Sequence, residues 1–333
     1  MDSSTLREEN AALLALVRSC EKPDTWASLT NECVVRGSAV TVYEHRLDPI
    51  RHPYPDDWHD PQGTLFDDAA SQPTDMQSDR LRRERIRALA DLDVWKDQGL
   101  DFVSVFDPRF PSRLRATVDV PPFLFADGTL VPDDRGVSVV GSRHCTPEGM
   151  RFARACAGML IDRGLTVVAG LAKGIDAFAH RTALEQGGRT VAFIGTGIRR
   201  CYPPENRDLQ REIAEHGLVL SQFWPDAAPT RHSFPMRNAL MSGYGIATIV
   251  ADAGEHSGTR IQARQAQRHG RPVIINRMVL DKAKWARDLA HRPGIYIVGD
   301  AAEAAHALDD IQRIDTGVDQ LIRNILQAET AYA

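Results

Sequence analysis

Four short stretches of this 333-residue chain place glycine beside a cation or a small hydroxyl where an apolar run stops, and a fifth supplies a cation without glycine. The run at 137–141, V-S-V-V-G, continues into Ser142 and Arg143. The run that ends at Ala169 opens A-G-L-A-K-G-I-D-A-F-A-H, which carries Gly170, Lys173, Gly174, Asp176 and His180. A third run stops at Gly195-Thr196-Gly197 and leads to Arg199, Arg200, Tyr202, Pro203 and Asn206. Phe234, Pro235, Arg237 and Asn238 form F-P-M-R-N, and a later run leads through Asp252 to Ser257, Gly258, Thr259 and Arg260. Glycine turns let a backbone approach a ligand, and the N–H groups that open a helix point at an anion. An arginine or lysine in the same turn favours phosphate. Each stretch alone is weak, because Gly-x-Gly is common in loops. Together they mark a phosphate-rich ligand held by Gly141, Ser142, Arg143, Gly170, Lys173, Gly174, Gly195, Gly197, Phe234, Arg237, Asn238, Ser257, Gly258 and Arg260.

Other chemistries fit poorly. The first turn reads G-S-R-H-C-T and lacks G-x-G-x-x-G, and no G-x-x-x-x-G-K-[ST] pattern occurs, so neither a dinucleotide nor ATP is expected and no cofactor is assigned. A nucleophile needs an adjacent base and an orienting group. Ser142 and Ser257 have no such partner in sequence, and His180, four residues after Asp176, reads as a packed histidine fixing the turn. Asp176 reads as a helix N-cap. Cys20, Cys33, Cys145, Cys156 and Cys201 are odd in number, scattered and without C-x-x-C, which fits reduced thiols and no zinc site. The expectation is a binding protein, not an enzyme.

These turns need a scaffold that brings strand ends to one edge. Apolar runs at 137–141, 165–169, 190–195, 217–221, 246–251, 272–276 and 295–298 read as strands. Helices are expected to begin near Thr146-Pro147, Asp176, Asn206, Ser233, Ser257 and Ala283. Thr146 as N-cap with Pro147 at N1 is a good start signal. Near-continuous apolar strands imply two covered sheet faces. The expected fold is α/β, an extended Rossmann-like, mostly parallel, doubly wound sheet preceded by a small α-helical domain. Ligands of such sheets lie at the carboxyl ends of the strands, which is where the five stretches fall.

The rest of the chain divides by composition. Residues 1–45 read as a small helical module, with Leu6, Leu13, Leu14, Leu16 and Val17 in helical register and a break at Pro23-Asp24. Residues 46–99 read as an acidic, proline-rich linker followed by an amphipathic helix with Arg80, Arg82, Arg83, Arg85 and Arg87. Residues 100–310 form the Rossmann-like domain, and 311–333 a C-terminal helix whose apolar stripe fits core packing. Arg260, Arg264 and Arg268 recur every four residues and share a helix face. A solvated face is the ordinary reading, although Arg260 lies at the ligand edge. Net charge is −5, so nucleic-acid binding requires a local basic patch. No signal pattern and no apolar run long enough to span a bilayer is seen, so the expected location is cytoplasmic, with no membrane partner.

The order G-S-R, G-L-A-K-G-I-D-A-F-A-H, G-T-G-x-x-x-x-Y-P-P-E-N, F-P-x-R-N and S-G-T-R resembles the DprA/Smf family of DNA-processing proteins. Upstream, D-P-R-F-P-S-R-L and V-P-P-F-L-F-A-D-G are similar to it as well, so the resemblance covers roughly residues 100–276. It implies a Rossmann-like domain that binds single-stranded DNA, a homodimer, and RecA as a partner that is loaded onto the strand during transformation and recombination. It also implies that Arg143 and Lys173 contact the DNA backbone, with Phe234, Arg237 and Asn238 near the same pocket. The chain departs from the family pattern in four places. Ala239 follows R-N, S-G-T-R-I-Q-A puts Arg260 and Gln262 at positions of other character, Ile275-Asn276-Arg277-Met278 stands where Pro-Gly is usual, and the segment from 279 diverges, with no winged-helix module expected after it. Two alternatives remain open at this point. One is a DprA-like antitoxin or phage-defence subunit with a toxin or defence partner. The other is a nucleotide-binding or nucleotide-hydrolysing relative of the lysine-decarboxylase-like family, which Gln262 disfavours because an amide cannot act as a carboxylate base.

Overall fold

Every strand expected between 137 and 298 forms, and the reason lies in its composition. The computed structural model describes residues 2–20, 25–54 and 73–314. The expected linker between 55 and 72 and the expected last helix beyond 314 lie outside the described residues. The chain divides into two compact units, 1–133 and 134–333.

The first unit opens with α1 (Ser3–Ser19), α2 (Trp26–Val35) and α3 (Ala39–Leu47), followed by α4 (Asp75–Asp97). Sequence periodicity did not flag α3. Glu9 of α1 explains it: its buried carboxylate accepts from Ser38 Oγ at 2.7 Å and from the Ala39 and Val40 N–H groups at 2.6 and 3.2 Å. Ser38 caps α3 locally by accepting the Thr41 N–H at 3.1 Å, and Glu9, thirty positions upstream of Ala39, takes the first two N–H groups, a long-range contribution no local pattern contains. The arginines of α4 are largely spoken for. Arg85 pairs with Glu8 at 2.6 Å, Arg82 with Asp79 at 3.1 Å, and Arg80 donates to the Arg18 carbonyl.

β1 (Asp101–Ser104), the short α5 (Ser112–Arg115) and β2 (Phe123–Gly128) complete this unit, with β1 and β2 antiparallel. Trp95, Phe102, Phe123 and Phe125 form one aromatic cluster, with Trp95 edge-on to Phe125 at 4.9 Å. D-P-R-F-P-S-R-L proves to be a self-bracing turn. Asp107 accepts from the Arg109 backbone and guanidinium, and Arg115 donates to the Val105 and Asp107 carbonyls.

The second unit alternates strand and helix: β3 (Gly136–Gly141), α6 (Pro147–Asp162), β4 (Thr166–Ala169), α7 (Ile175–Glu185), β5 (Thr190–Phe193), α8 (Arg207–His216), β6 (Leu218–Ser221), α9 (Ser233–Tyr244), β7 (Ala247–Asp252), α10 (Thr259–Arg268), β8 (Val273–Asn276), α11 (Met278–Lys282), α12 (Lys284–Ala290) and β9 (Ile295–Val298). A further helix covers 301–314. The strands run in the order β6-β5-β4-β3-β7-β8-β9, and each adjacent pair is parallel. Buried Val, Ile and Leu fill β4 to β8 because helices cover both faces. Thr146 caps α6 by accepting the Gly149 N–H at 3.1 Å, with Pro147 in the first turn, a cap worth about 1 kcal/mol. After β3 the chain builds outward through β4, β5 and β6, then returns to place β7 on the other flank of β3. The strand order reverses there, and the crevice between the carboxyl ends of β3 and β7 is the usual ligand seat of such a sheet.

Candidate functional site

That crevice is filled by the chain itself. Asp252, at the end of β7, is buried. Its Oδ2 accepts from Thr146 N at 2.7 Å and from Thr146 Oγ1 at 2.9 Å, and its Oδ1 pairs with Lys282 at 3.2 Å. Its carbonyl accepts the Ser142 N–H at 2.8 Å. The start of α6 therefore already faces an anion, a carboxylate of its own sheet, in the place where dipole and N–H groups favour negative charge. Ser142 turns its hydroxyl to the His144 carbonyl at 3.0 Å, and Gly141 packs against Ile175 and the Asp252 carbonyl.

The loop after β4 repeats this arrangement. Asp176 is buried, and its Oδ2 accepts from the Gly170 N–H at 3.1 Å and the Ala172 N–H at 3.4 Å. It does not cap α7, whose N-cap is Gly174; it reaches back into the loop instead. Burial pushes its carboxyl up, against the opposing pull of the Arg237 charge. Arg237 is buried too, and one Nη1 bonds the Gly170 and Phe193 carbonyls, the latter at 3.1 Å. This arginine joins α9 to the ends of β4 and β5 from beneath. Leu171 holds a left-handed φ of 57°. Its carbonyl is pinned by the buried Asn206, whose Nδ2 donates at 2.9 Å, so the last residue of Y-P-P-E-N shapes the glycine–lysine loop.

His180 is fully buried, with Nδ1 2.7 Å from Thr190 Oγ1. The Thr190 proton goes to the Val167 carbonyl at 2.8 Å, so Nδ1 donates. Burial, aided by the Arg237 charge, pushes its pKa from 6.5 to about 3, and the ring is neutral. It fastens α7 to the sheet and has no nucleophile to activate. Among the described residues, no group of three His, Cys, Asp or Glu is placed to hold a metal, and no helix is long and apolar enough to cross a membrane.

Above this braced layer lies an exposed one. Gly174 has φ +74° and ψ −126°, and a Cβ there would lie 2.7 Å from the Arg143 carbonyl oxygen, so only glycine lets the two loops touch. The contact brings Lys173 beside Arg143, and both are exposed. The Arg143 guanidinium stands 5.5 Å over the Phe234 ring. Tyr202, 42% exposed, lies 5.7 Å from the same ring at 48°. Gly195 makes room for Phe234, since a Cβ at 195 would be 3.0 Å from its edge. Lys173 is not idle, because its Nζ pairs with Glu205, and that pairing holds the Glu205 carboxyl below its usual range.

Not all of the expected residues join this cluster. Gly197 packs on the Trp224 and Pro225 backbone and shapes its own loop. Asn238 is half-buried on α9. Ser257 bonds Thr259 Oγ1 at 2.8 Å, Gly258 is open, and Arg260 sits partly exposed on the first turn of α10. The sequence reading left Asp252, Asn206 and Glu205 outside the site. The first two lay in the strand-end loops it marked; Glu205 carried no signal beyond its place next to Asn206.

Comparison with known proteins gives the same frame. The family model described as DNA recombination-mediator protein A matches residues 101–309. Protein Smf of Synechocystis is 34% identical over 250 residues, covering 72% of this chain and 62% of that protein. The DNA processing protein DprA of Streptococcus pneumoniae is 38% identical over 193 residues, covering 57% of this chain and 68% of that protein. Its X-ray structure superposes with a TM-score of 0.60 at 31% identity, covering 68% of this chain and 80% of that one. The Helicobacter pylori protein, whose structure describes a single-stranded DNA binding mode of its own, has the same fold with a TM-score of 0.57 at 24% identity, covering 63% of this chain and 96% of that one. The chain spans 62% of the length of Synechocystis Smf and of Bacillus subtilis DprA.

Proposed function

The chain belongs to the DNA recombination-mediator protein A family, and from that premise we propose that its strand-end edge binds single-stranded DNA by phosphate contacts and base stacking. The observation that carries the proposal is the Arg143 guanidinium over the Phe234 ring, with Tyr202 beside it and Lys173 on the neighbouring loop. A cation over the half-buried Phe234 ring, with the exposed Tyr202 ring beside it, suits a strand whose bases are free to stack, a contact worth about 1–3 kcal/mol per base. A duplex hides the faces of its bases. Arg143 and Lys173 take phosphates, Phe234 and Tyr202 take bases, and Arg260 supplies a third cation further along the edge. Asp252, Asp176 and Arg237 hold the platform and do not touch the strand. Nothing in this assignment calls for a chemical step.

Anisotropy titrations of an oligothymidylate across salt test the assignment. With about four phosphate contacts, log K falls with log salt at a slope near −3, and Arg143→Ala with Lys173→Ala makes it shallower by about 1.4. Affinity for the single strand exceeds that for a duplex of the same length. Equal binding by the double variant would sink the assignment.

RecA as the recipient of the strand belongs to the same proposal, and the recombination-mediator description of the family supports it. Faster RecA filament growth on strands coated with single-strand-binding protein is the expected result, and no acceleration by the wild-type chain would remove that half.

A further inference from the structure

The segment that follows β8 is where the chain departs from the family pattern, and its contacts converge on the end of β7. Four of the five residues from Ala251 to Glu255 are fastened to residues 276–285. Asn276 Nδ2 donates to the Ala251 carbonyl at 3.0 Å, and Lys282 Nζ pairs with Asp252 Oδ1 at 3.2 Å. Trp285, itself buried, donates from Nε1 to the Gly254 carbonyl at 3.2 Å, and the Lys284 N–H donates to Glu255 Oε2 at 2.6 Å. α11 and α12 therefore clamp the end of β7, and the side chain they hold in the crevice is a carboxylate.

That carboxylate fits its seat closely. Asp252 is 3% exposed, and the first turn of α6 sets Gly149 against it. A Cβ at 149 would lie 2.5 Å from Asp252 Cβ and 2.7 Å from Oδ2, so any other residue would push the carboxylate out. Glycine weakens a helix; here it makes room for an anion. The Thr146 N–H, the Thr146 hydroxyl and the Lys282 ammonium are donors that suit a phosphate monoester equally well, and all three are given to Asp252. We propose that Asp252 determines ligand class at this edge, with Lys282 as the positioning residue behind it. Together they close the α6 seat to phosphate monoesters, free or on a mononucleotide, and a strand is selected through the exposed layer alone. The inference rests on the single-strand reading above and adds what the edge rejects.

Thermal shift with inorganic phosphate or thymidine monophosphate, against chloride at equal ionic strength, tests the closure. The wild type moves by less than about 1 °C, whereas Asp252→Ala starts lower and gains about 3–5 °C at a ligand concentration near ten times Kd. Adding Lys282→Met to Asp252→Ala removes that gain, because the ammonium released by the carboxylate is what holds the phosphate; Lys282→Arg in its place keeps it. A lower Tm in Asp252→Ala with no recovery in phosphate makes Asp252 a structural brace only and overturns the proposal. A gain that survives Lys282→Met overturns the part given to Lys282. The wild type supplies a second test that needs no variant to fold. Oligothymidylates of about 5 nucleotides with and without a 5′-phosphate bind it within about two-fold of each other, and a larger preference for the phosphorylated end would overturn the closure. Absence of oligothymidylate binding by the wild type is instead the failure of the single-strand reading, on which the phosphate shifts do not depend.

Discussion

Lys173 shows how one side chain can report on its neighbours. Its ammonium is held by Glu205, so an arriving phosphate must displace a carboxylate that is already there. Both groups are about half exposed, and exposed pairs are weak. Glu205→Gln is therefore expected to tighten single-strand binding about two- to five-fold at low salt, an effect that anisotropy reads directly and that Lys173→Ala abolishes. His180 supplies a pH prediction. Its ordinary value of 6.5 applies to the unfolded chain, and the folded value is about 3. Between those limits the unfolded chain takes up a proton that the native one refuses, so stability declines as pH falls below 6.5, by at most about 1.4 kcal/mol per unit. Urea midpoints at pH 7, 6 and 5 check this, and His180→Gln, which keeps a donor for Thr190, removes that part of the slope. Arg143 and Lys173 were legible from type and spacing, as cations in glycine turns. Arg237 was not, because its motif reads the same whether the guanidinium faces a ligand or two carbonyls. The hint was downstream: Leu240 and Met241, one turn along α9, are core residues.

Elements meet at this edge through their backbones, so glycines give the cleanest tests. Gly174→Ala puts a methyl group on the Ser142–Arg143 backbone and strains a positive φ, costing about 1–3 kcal/mol. Single-strand affinity is expected to fall about 10-fold as the two loops part. Gly258, with φ −59° and no atom within 4 Å of the place a methyl group would take, is the control. Gly258→Ala changes stability by less than about 0.5 kcal/mol and leaves binding alone. Deeper in, Arg237→Met strips the donor from the Gly170 and Phe193 carbonyls and removes the positive charge that opposes the upward push on the Asp176 carboxyl. Buried acceptors left without a donor cost about 1–3 kcal/mol each, which a thermal melt would register as a drop of about 10 °C. The strands of the second unit were readable because both sheet faces are covered, which turns each into a run of Val, Ile, Leu and Ala. α3 and α11 were not. α3 depends on Glu9 for its first two N–H groups, and α11 has only five residues, too few to show a period.

Taken whole, the chain carries a net charge of −5, and its binding edge is a local exception. Charge of that sign does not steer a polyanion from afar. Association with single-stranded DNA is expected near 10^6 per molar per second, not the 10^8–10^9 of steered pairs. Most of the salt dependence then lies in the dissociation rate, which stopped-flow mixing and surface dissociation runs resolve; a steeply salt-dependent association rate would contradict this. Composition alone told of the missing global field. It could not tell that Asp252 sits in the crevice between β3 and β7, because that requires the end of β7 to be folded against the start of α6. A diffusible metabolite competes by mass action, whereas a carboxylate on the same chain is always present at a concentration fixed by the fold. A free nucleotide phosphate would have to displace Asp252 from Thr146 to enter that crevice, so the single-strand reading proposed above seats the DNA on the exposed layer instead.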